Sequence, residues 1–350
     1  LAVAGIATFA ATIFMPDAEP LKSNYVPTLN HPVFVLGIAM FGIGVGIGFV
    51  DGRLIPFRGV SVIPRDARPG LRLAGLVYLL MIATIWGAYN TQASVFTPLQ
   101  YYERLFWGGG HVQQFANVLA MVSVWLFLLS RVTGKQVMDS RLATVLFLAL
   151  AAPAAAGPWL TSTLQPPQYF TLMMRWGIFP VVSIFLVFCI AALWRSRGTA
   201  KRELAFTGFV TSAAMTVAGF IMGSLIRGNT TLVPAHYHMS LGGVTTAFMA
   251  AVLELLGNLG APLPTVRMRR WATAQPLLYG GGMAMMAIGF ALAGSVRKTY
   301  GTEQVVRSTG EWAGLVTMGI GGVISTVGGV LFLVLMVVAL RARRKAGAAA

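Results

Sequence analysis

Long stretches of apolar residues, separated by short polar connections, dominate the chain. These stretches fall near residues 1–14, 32–50, 73–92, 110–130, 142–160, 171–194, 205–226, 234–256, 275–295 and 313–340. A helix that crosses the hydrocarbon core of a bilayer needs roughly 20 apolar residues. The pattern therefore predicts an all-α integral membrane protein with about ten transmembrane helices, forming a single domain over residues 1–350. The first stretch is too short to span, since it makes only about 21 Å of helix.

The composition agrees with this class of protein. Hydrophobic residues make up 56% of the 350 positions and charged residues only 10%, which excludes a soluble domain, a disordered chain and a disulfide scaffold. The single cysteine, Cys189, lies inside an apolar stretch. An intrachain disulfide or a thiolate metal cluster is therefore impossible.

The net charge of +16 is distributed unevenly between the connections. Most of the 26 Lys and Arg residues lie in alternate connections, at 53–72, 131–141, 195–202 and 267–270, and in the C-terminal segment 341–345. Such asymmetry is the positive-inside pattern. It predicts that these connections and the C-terminus are cytoplasmic, and that the excess charge contacts membrane lipid. We expect no nucleic-acid partner, because no basic domain stands outside the membrane.

The four histidines are the main candidates for chemistry. His31, His111, His236 and His238 each lie where an apolar stretch begins, at the outer face in the topology above. An imidazole in the membrane is costly without a partner and is a functional candidate by default. Neutral imidazole nitrogens are common metal ligands. The alternative is a set of interfacial histidines that are hydrogen-bonded to loops.

The spacing of His236 and His238 limits what the two residues can bind. Two positions along a helix turn the side chain by about 200°, so the imidazoles point to opposite sides of one helix. They cannot hold one ion together, as residues at i and i+4 would. Each can instead hold its own cofactor, and a haem fits because it is large, apolar and axially bound by histidine.

The segment 231–244 (TLVPAHYHMSLGGV) resembles the tenth helix of the catalytic subunit of haem–copper oxidases and nitric oxide reductases. The resemblance implies that His236 ligates a high-spin haem and His238 a low-spin haem, so that one or two haems of b type are bound. The segment 107–115 (WGGGHVQQF) resembles the family's sixth helix. There a histidine, here His111, ligates the active-site copper or a non-haem iron.

The rest of the chain follows the same family order. The number of apolar stretches between the two segments matches helices VI to X of the family, and two more follow. Arg297 and Lys298, after the eleventh helix, resemble the basic pair that family members direct at haem propionates. The resemblance thus implies an oxidase subunit I-like bundle, beginning at helix III, from which helices I and II are absent.

Two departures from the family change the expected function. Segment 141–160 resembles the seventh helix, but Trp159 and Leu160 stand where the family has the histidine pair of its copper site. Since copper sites usually need three nitrogen ligands, we expect no copper. The second ligand of the low-spin haem, usually on helix II, must come from another chain, from missing N-terminal sequence or from His31.

A single acid, Glu254, lies deep in an apolar stretch. An intramembrane carboxylate can belong to a proton path. Its place near the inner end of its stretch, shortly before Gly257, is typical of an ordinary acid at the membrane interface. Both interpretations stay open at this point.

These observations favour a haem-binding, cytochrome b-like subunit of a respiratory electron-transfer complex in the cytoplasmic membrane. With copper gone, His111 would become the second axial ligand of the haem held by His236. The expected partners are an outer-face carrier such as a cytochrome c and a chain that supplies the missing helices. One alternative is an oxygen or nitric oxide reductase with an unusual non-haem metal centre. Another is a haem-free transporter or structural subunit, which broken helices with polar residues would favour.

Overall fold

The described part of the chain is almost entirely helical. The computed structural model describes residues 1–21, 28–50, 62–91, 96–161, 168–198, 203–227, 230–294 and 305–348. Contacts between residues divide the chain into two compact units. Unit 1 comprises residues 1–123 and 138–185, and unit 2 comprises residues 124–137 and 186–350. Whether these units act as the single domain expected from the sequence stays a prediction.

Twelve α-helices are found among the described residues. In chain order they are α1 (Ala2–Ala11), α2 (Pro32–Val50), α3 (Arg68–Thr91), α4 (Pro98–Thr133), α5 (Ser140–Ala151), α6 (Gly157–Leu160), α7 (Gln168–Met173), α8 (Phe179–Arg195), α9 (Leu204–Leu225), α10 (Leu232–Leu255), α11 (Val266–Ala293) and α12 (Thr309–Ala348). Two three-residue strands, β1 (Glu19–Leu21) and β2 (Thr28–Asn30), pair antiparallel and are the only strands in the described ranges.

The prediction of an all-α integral membrane protein is confirmed. In the part of the chain that the structure describes, nine helical stretches are long and apolar enough to cross a membrane. The first helix, with the 3₁₀ turn Thr12–Phe14 that follows it, is shorter, as its sequence predicts. The protein is thus a multi-pass membrane protein.

One helix begins much earlier than its apolar pattern suggests. The fourth helix starts at Pro98 rather than near residue 110, and its 36 residues make about 54 Å of helix, against a hydrocarbon core of roughly 30 Å. A search for apolar runs misses the first turns of this helix, because they contain the polar residues Gln100, Glu103 and Arg104. The one local sign of the early start is Pro98, since proline is well suited to the first position of a helix. The expectation that His111 lies at the beginning of its helix is therefore wrong.

Two membrane-crossing stretches of unit 1 are interrupted. A 3₁₀ turn, Ala152–Ala156, separates α5 from α6, and a π-helical turn, Met174–Ile178, separates α7 from α8. The interruptions are packed with apolar groups, since a Cβ added at Gly177 would lie 2.9 Å from Pro153 and 3.0 Å from Phe115.

Side-chain caps fix two helix ends. The carboxylate of Asp139 accepts hydrogen bonds from the N–H groups of Arg141 and Leu142 at the start of α5. The N–H groups of Leu142 and then Arg141 are also the main reason that the pKa of the Asp139 carboxyl lies below its ordinary value. The hydroxyl of Thr265 likewise accepts from the N–H of Met268 at the start of α11. Such caps satisfy backbone donors that a helix leaves unpaired at its N-terminus.

Glycines bring the last two helices of unit 2 into direct backbone contact. Gly282 and Gly289 of α11 lie against Gly321 and Gly314 of α12, and Gly328 of α12 lies against the backbone of Tyr279. The glycines recur at every seventh position on each helix. Because seven residues make about two turns of an α-helix, the glycines stay on one face. Small residues let membrane helices approach closely, so this face sets the spacing between α11 and α12.

Hydrogen bonds within unit 2 connect three further helices. The indole N–H of Trp125, on the part of α4 that belongs to unit 2, donates to the hydroxyl of Ser212 at 2.8 Å. That hydroxyl donates in turn to the carbonyl oxygen of Gly243 at 2.7 Å. Because both side chains are fully buried, these bonds satisfy polar groups that would be costly in an apolar interior. They fix α9 and α10, which carry the candidate site.

Candidate functional site

The imidazole of His236 is held against α9. His236 lies in the second turn of α10, and its Nδ1 is 2.7 Å from the carbonyl oxygen of Gly219. The hydroxyl of Ser240 is farther from the same nitrogen, at 3.4 Å. A Cβ added at Gly223 would lie only 2.8 Å from the ring. The ring therefore occupies the space that the missing side chain of Gly223 leaves open.

The imidazole of His238 lies on the other flank of the same helix. Its Nδ1 is 2.8 Å from the carbonyl oxygen of Pro234, four residues earlier in α10. Its ring centroid is 5.1 Å from that of Phe290 on α11. His236 thus faces α9 and His238 faces α11, as the two-residue spacing predicts.

The hydrogen bonds determine which nitrogen of each ring is free to bind a metal. A carbonyl oxygen can only accept, so Nδ1 of His236 and Nδ1 of His238 must both carry the proton. The other nitrogen, Nε2, then keeps its lone pair. Among the described residues, Nε2 of neither histidine has a hydrogen-bond partner. An Nδ1–H bonded to a carbonyl is the arrangement in which histidine commonly ligates a metal through Nε2.

A third imidazole, in unit 1, has the same internal arrangement. His111 is buried, and its Nδ1 is 2.7 Å from the carbonyl oxygen of Trp107, four residues earlier in α4. Its ring lies 4.8 Å from the ring of Trp107 and 6.0 Å from that of Phe170, between centroids. The histidine therefore stands in an aromatic, apolar environment well inside its helix.

The fourth histidine has local partners for both of its ring nitrogens. Nδ1 of His31 accepts a hydrogen bond from the N–H of Val33 at 3.2 Å, which caps the start of α2. Its Nε2 is 3.4 Å from the carboxylate of Asp17. These contacts favour a structural role for His31 over the haem-ligand role that the sequence left open.

The carboxylate of Glu254 forms an ion pair near the end of α10. Its Oε1 lies 3.2 Å from Nε of Arg131, and the two side chains are 22% and 40% exposed respectively. A partly exposed, paired carboxylate supports the interpretation of Glu254 as an interfacial acid rather than part of a proton path. Sequence reasoning missed this pair, because nothing local connects residues 123 positions apart.

Two of the glycines before His111 pack against protein side chains. A Cβ added at Gly108 would lie 2.9 Å from Phe170, and one added at Gly109 would clash with Ile85. The space at these two positions is filled by protein side chains, so the first two glycines serve helix packing.

Two further site residues expected from the sequence, Arg297 and Lys298, lie outside the described residues. They are the expected partners of the haem propionates.

Within the described ranges, no three His, Cys, Asp or Glu residues are close enough together to hold one ion. His111, His236 and His238 therefore form no such three-residue group in this part of the chain.

The sequence is distantly similar to several known proteins, although no family model matches it. An uncharacterized protein of Aquifex aeolicus is 28% identical over 264 residues, which cover 74% of this chain and 65% of that protein. An uncharacterized protein of Rickettsia prowazekii is 23% identical over 370 aligned positions, covering 89% of this chain and 70% of that protein.

A third relative has a known role. Cytochrome c oxidase subunit 1 of Thermus thermophilus is 24% identical over 334 residues, which cover 84% of this chain and 59% of the oxidase subunit. The chain thus spans about 60–65% of the length of this relative and of the Aquifex protein. The fold defines an all-α membrane protein, and its sequence is distantly similar to cytochrome c oxidase subunit 1.

Proposed function

We propose that the chain is a haem-bearing subunit of a respiratory electron-transfer complex. Nε2 of His236 and Nε2 of His238 are the axial ligands of two separate haem irons, one on each flank of α10. The observation that carries the proposal is the pair of Nδ1–carbonyl hydrogen bonds, because they leave both Nε2 lone pairs available. The distant similarity to cytochrome c oxidase subunit 1 supports the same function.

The residues around each ring fit this role. A haem supplies one-electron chemistry, in which its iron alternates between the ferric and ferrous states. The carbonyl groups of Gly219 and Pro234 orient the two imidazoles, and the ring of Phe290 gives His238 an apolar neighbour. Apolar surroundings exclude water and stabilise a large apolar cofactor. His111, with the same Nδ1 arrangement, is proposed as a further iron ligand in unit 1.

The wider assignment follows from the sequence pattern. We propose that the subunit lies in the cytoplasmic membrane with its basic connections and C-terminus inside. An outer-face carrier such as a cytochrome c donates or accepts electrons, and another chain supplies the second ligand of the low-spin haem. The copper site of the oxidases is absent from this proposal, because Trp159 and Leu160 stand at the expected histidine positions.

Absorption spectra of the purified protein test the proposal directly. After reduction with dithionite we expect the α-band of b-type haem, and we expect well under one copper atom per chain by metal analysis. A spectrum without any haem band would refute the proposal and favour the haem-free transporter or structural subunit. For the intact complex, in which every partner chain is present, a clear spectral shift with carbon monoxide would show an iron with a vacant position and would favour the oxygen or nitric oxide reductase.

The contact between His236 and Gly223 gives a second test. In the Gly223→Ala variant the new methyl group would lie within 3 Å of the imidazole, so we expect the ring to be displaced from Gly219. The variant should lose the haem held by His236 and keep the one held by His238, as measured by haem content per chain. Gly281→Ala is the matched control, since a Cβ there meets nothing within 4 Å. Equal haem contents in the two variants would contradict the assignment.

A further inference from the structure

A cleft opens at one end of three membrane-crossing helices of unit 2. It has a volume of about 470 Å³ and lies where α9 begins, α10 ends and α11 begins. Its walls include the buried side chains of Leu204, Leu253 and Leu256, and its charged lining includes Glu203 and Arg270. Because these helix ends mark the edge of the apolar spans, the cleft lies at the depth of lipid headgroups.

Two opposite charges in this cleft have no partner within the described part of the protein. Neither the carboxylate of Glu203 nor the guanidinium of Arg270 forms a hydrogen bond or an ion pair with a described residue. The other charges of the lining are engaged. Arg269 donates to the carbonyl oxygen of Leu263 at 3.2 Å, and Glu254 pairs with Arg131.

We propose that the cleft binds a zwitterionic phospholipid whose headgroup carries a primary amine, that is, a phosphatidylethanolamine. The guanidinium of Arg270 binds the phosphodiester, for which arginine is well suited. The carboxylate of Glu203 accepts hydrogen bonds from the ammonium group, and the leucines contact the glycerol and acyl chains. Sites between membrane helices at this depth bind lipid headgroups. The carboxylate of Glu203, which has no partner among the described residues, favours a headgroup with an ammonium group over a purely anionic one.

The inference does not depend on haem binding, so its test is separate from that of the proposed function. Delipidated protein in detergent is titrated with dioleoyl-phosphatidylethanolamine, and bound lipid is counted by native mass spectrometry. We expect tighter binding than for dioleoyl-phosphatidylcholine, whose quaternary ammonium cannot donate hydrogen bonds, and than for dioleoyl-phosphatidylglycerol, which has no ammonium group.

Variants distinguish the two contacts. Arg270→Gln should weaken binding of the phosphatidylethanolamine about fivefold, and Glu203→Gln should abolish the preference over phosphatidylglycerol. Arg267→Gln is the matched control, because Arg267 belongs to the same helix end but lies over the ring of Trp271 at 4.8 Å, outside the cleft lining. Melting temperatures equal to that of the wild-type protein show that the variants are folded.

Three results would overturn the proposal. The first is equal or tighter binding of phosphatidylglycerol by the unmodified protein. The second is equal lipid affinity of the Arg270→Gln and Arg267→Gln variants. The third is release of the bound lipid by millimolar inorganic phosphate, which would indicate a site for a free anion.

Discussion

The His238→Ala variant is expected to contain one haem fewer than the wild-type protein, and the His236→Ala variant to lose the other. The two rings bond to different carbonyl groups and face different helices, so each loss should leave the second haem in place. The double variant should contain neither. Haem per chain, measured as the pyridine haemochrome, gives the result.

Two controls separate ligation from folding. Adding imidazole to His238→Gly or His236→Gly should restore the missing haem, because the free base can occupy the vacated position; a misfolded variant would not respond. His31→Ala should keep all haem, since both ring nitrogens of His31 have local partners. Unchanged haem in both alanine variants of α10 would refute the assignment, and haem loss in His31→Ala would show that His31 is a ligand.

The Gly321→Leu variant is expected to be strongly destabilised in unit 2. A Cβ at this position would lie 2.7 Å from the carbonyl oxygen of Gly282 and would also clash with the backbone nitrogen of Met286. Backbone atoms cannot change rotamer, so α11 and α12 must separate. Overpacking of this kind costs about 3 kcal/mol or more in severe cases. The midpoint of thermal unfolding in detergent measures the effect.

Gly319→Leu is the control for this substitution. Gly319 lies about half a turn from Gly321 on the same helix, and a Cβ added at Gly319 meets nothing within 4 Å. Leucine has a higher helix propensity than glycine, so the control should melt at the same temperature as the wild-type protein or slightly higher. Equal melting temperatures for the two variants would mean that the glycine contact does not hold α11 and α12 together.

The sequence predicts the membrane spans well and the helix interruptions only in part. Apolar runs locate the nine long stretches, because burial in lipid demands continuous apolar residues. Pro153 and Pro158 mark the break between α5 and α6, since proline disrupts a helix. Pro180, shortly after the π-helical turn at Met174–Ile178, is a comparable mark of the second interruption, but its π-helical form is not apparent from the sequence. The early start of α4 escapes notice because its first turns are polar.

The sequence predicts the directions of the candidate site's two imidazoles but not their hydrogen-bond and ring partners. The opposite directions of His236 and His238 follow from helix geometry alone. The partners of the rings do not, because Gly219, Gly223 and Phe290 come from neighbouring helices. The four-residue spacing of Gly219 and Gly223 is the one local sign of a close approach on α9. The pairing of Glu254 with Arg131 depends entirely on tertiary structure.

The carbonyl partners of the two rings have a consequence for how the protein can vary. A main-chain oxygen neither titrates nor disappears when its own side chain is replaced. The tautomer of His236 and that of His238 are therefore set by backbone position. Apart from Gly219 and Gly223, where an added Cβ would clash, neighbouring side chains can then differ between relatives without changing which nitrogen of either imidazole keeps its lone pair.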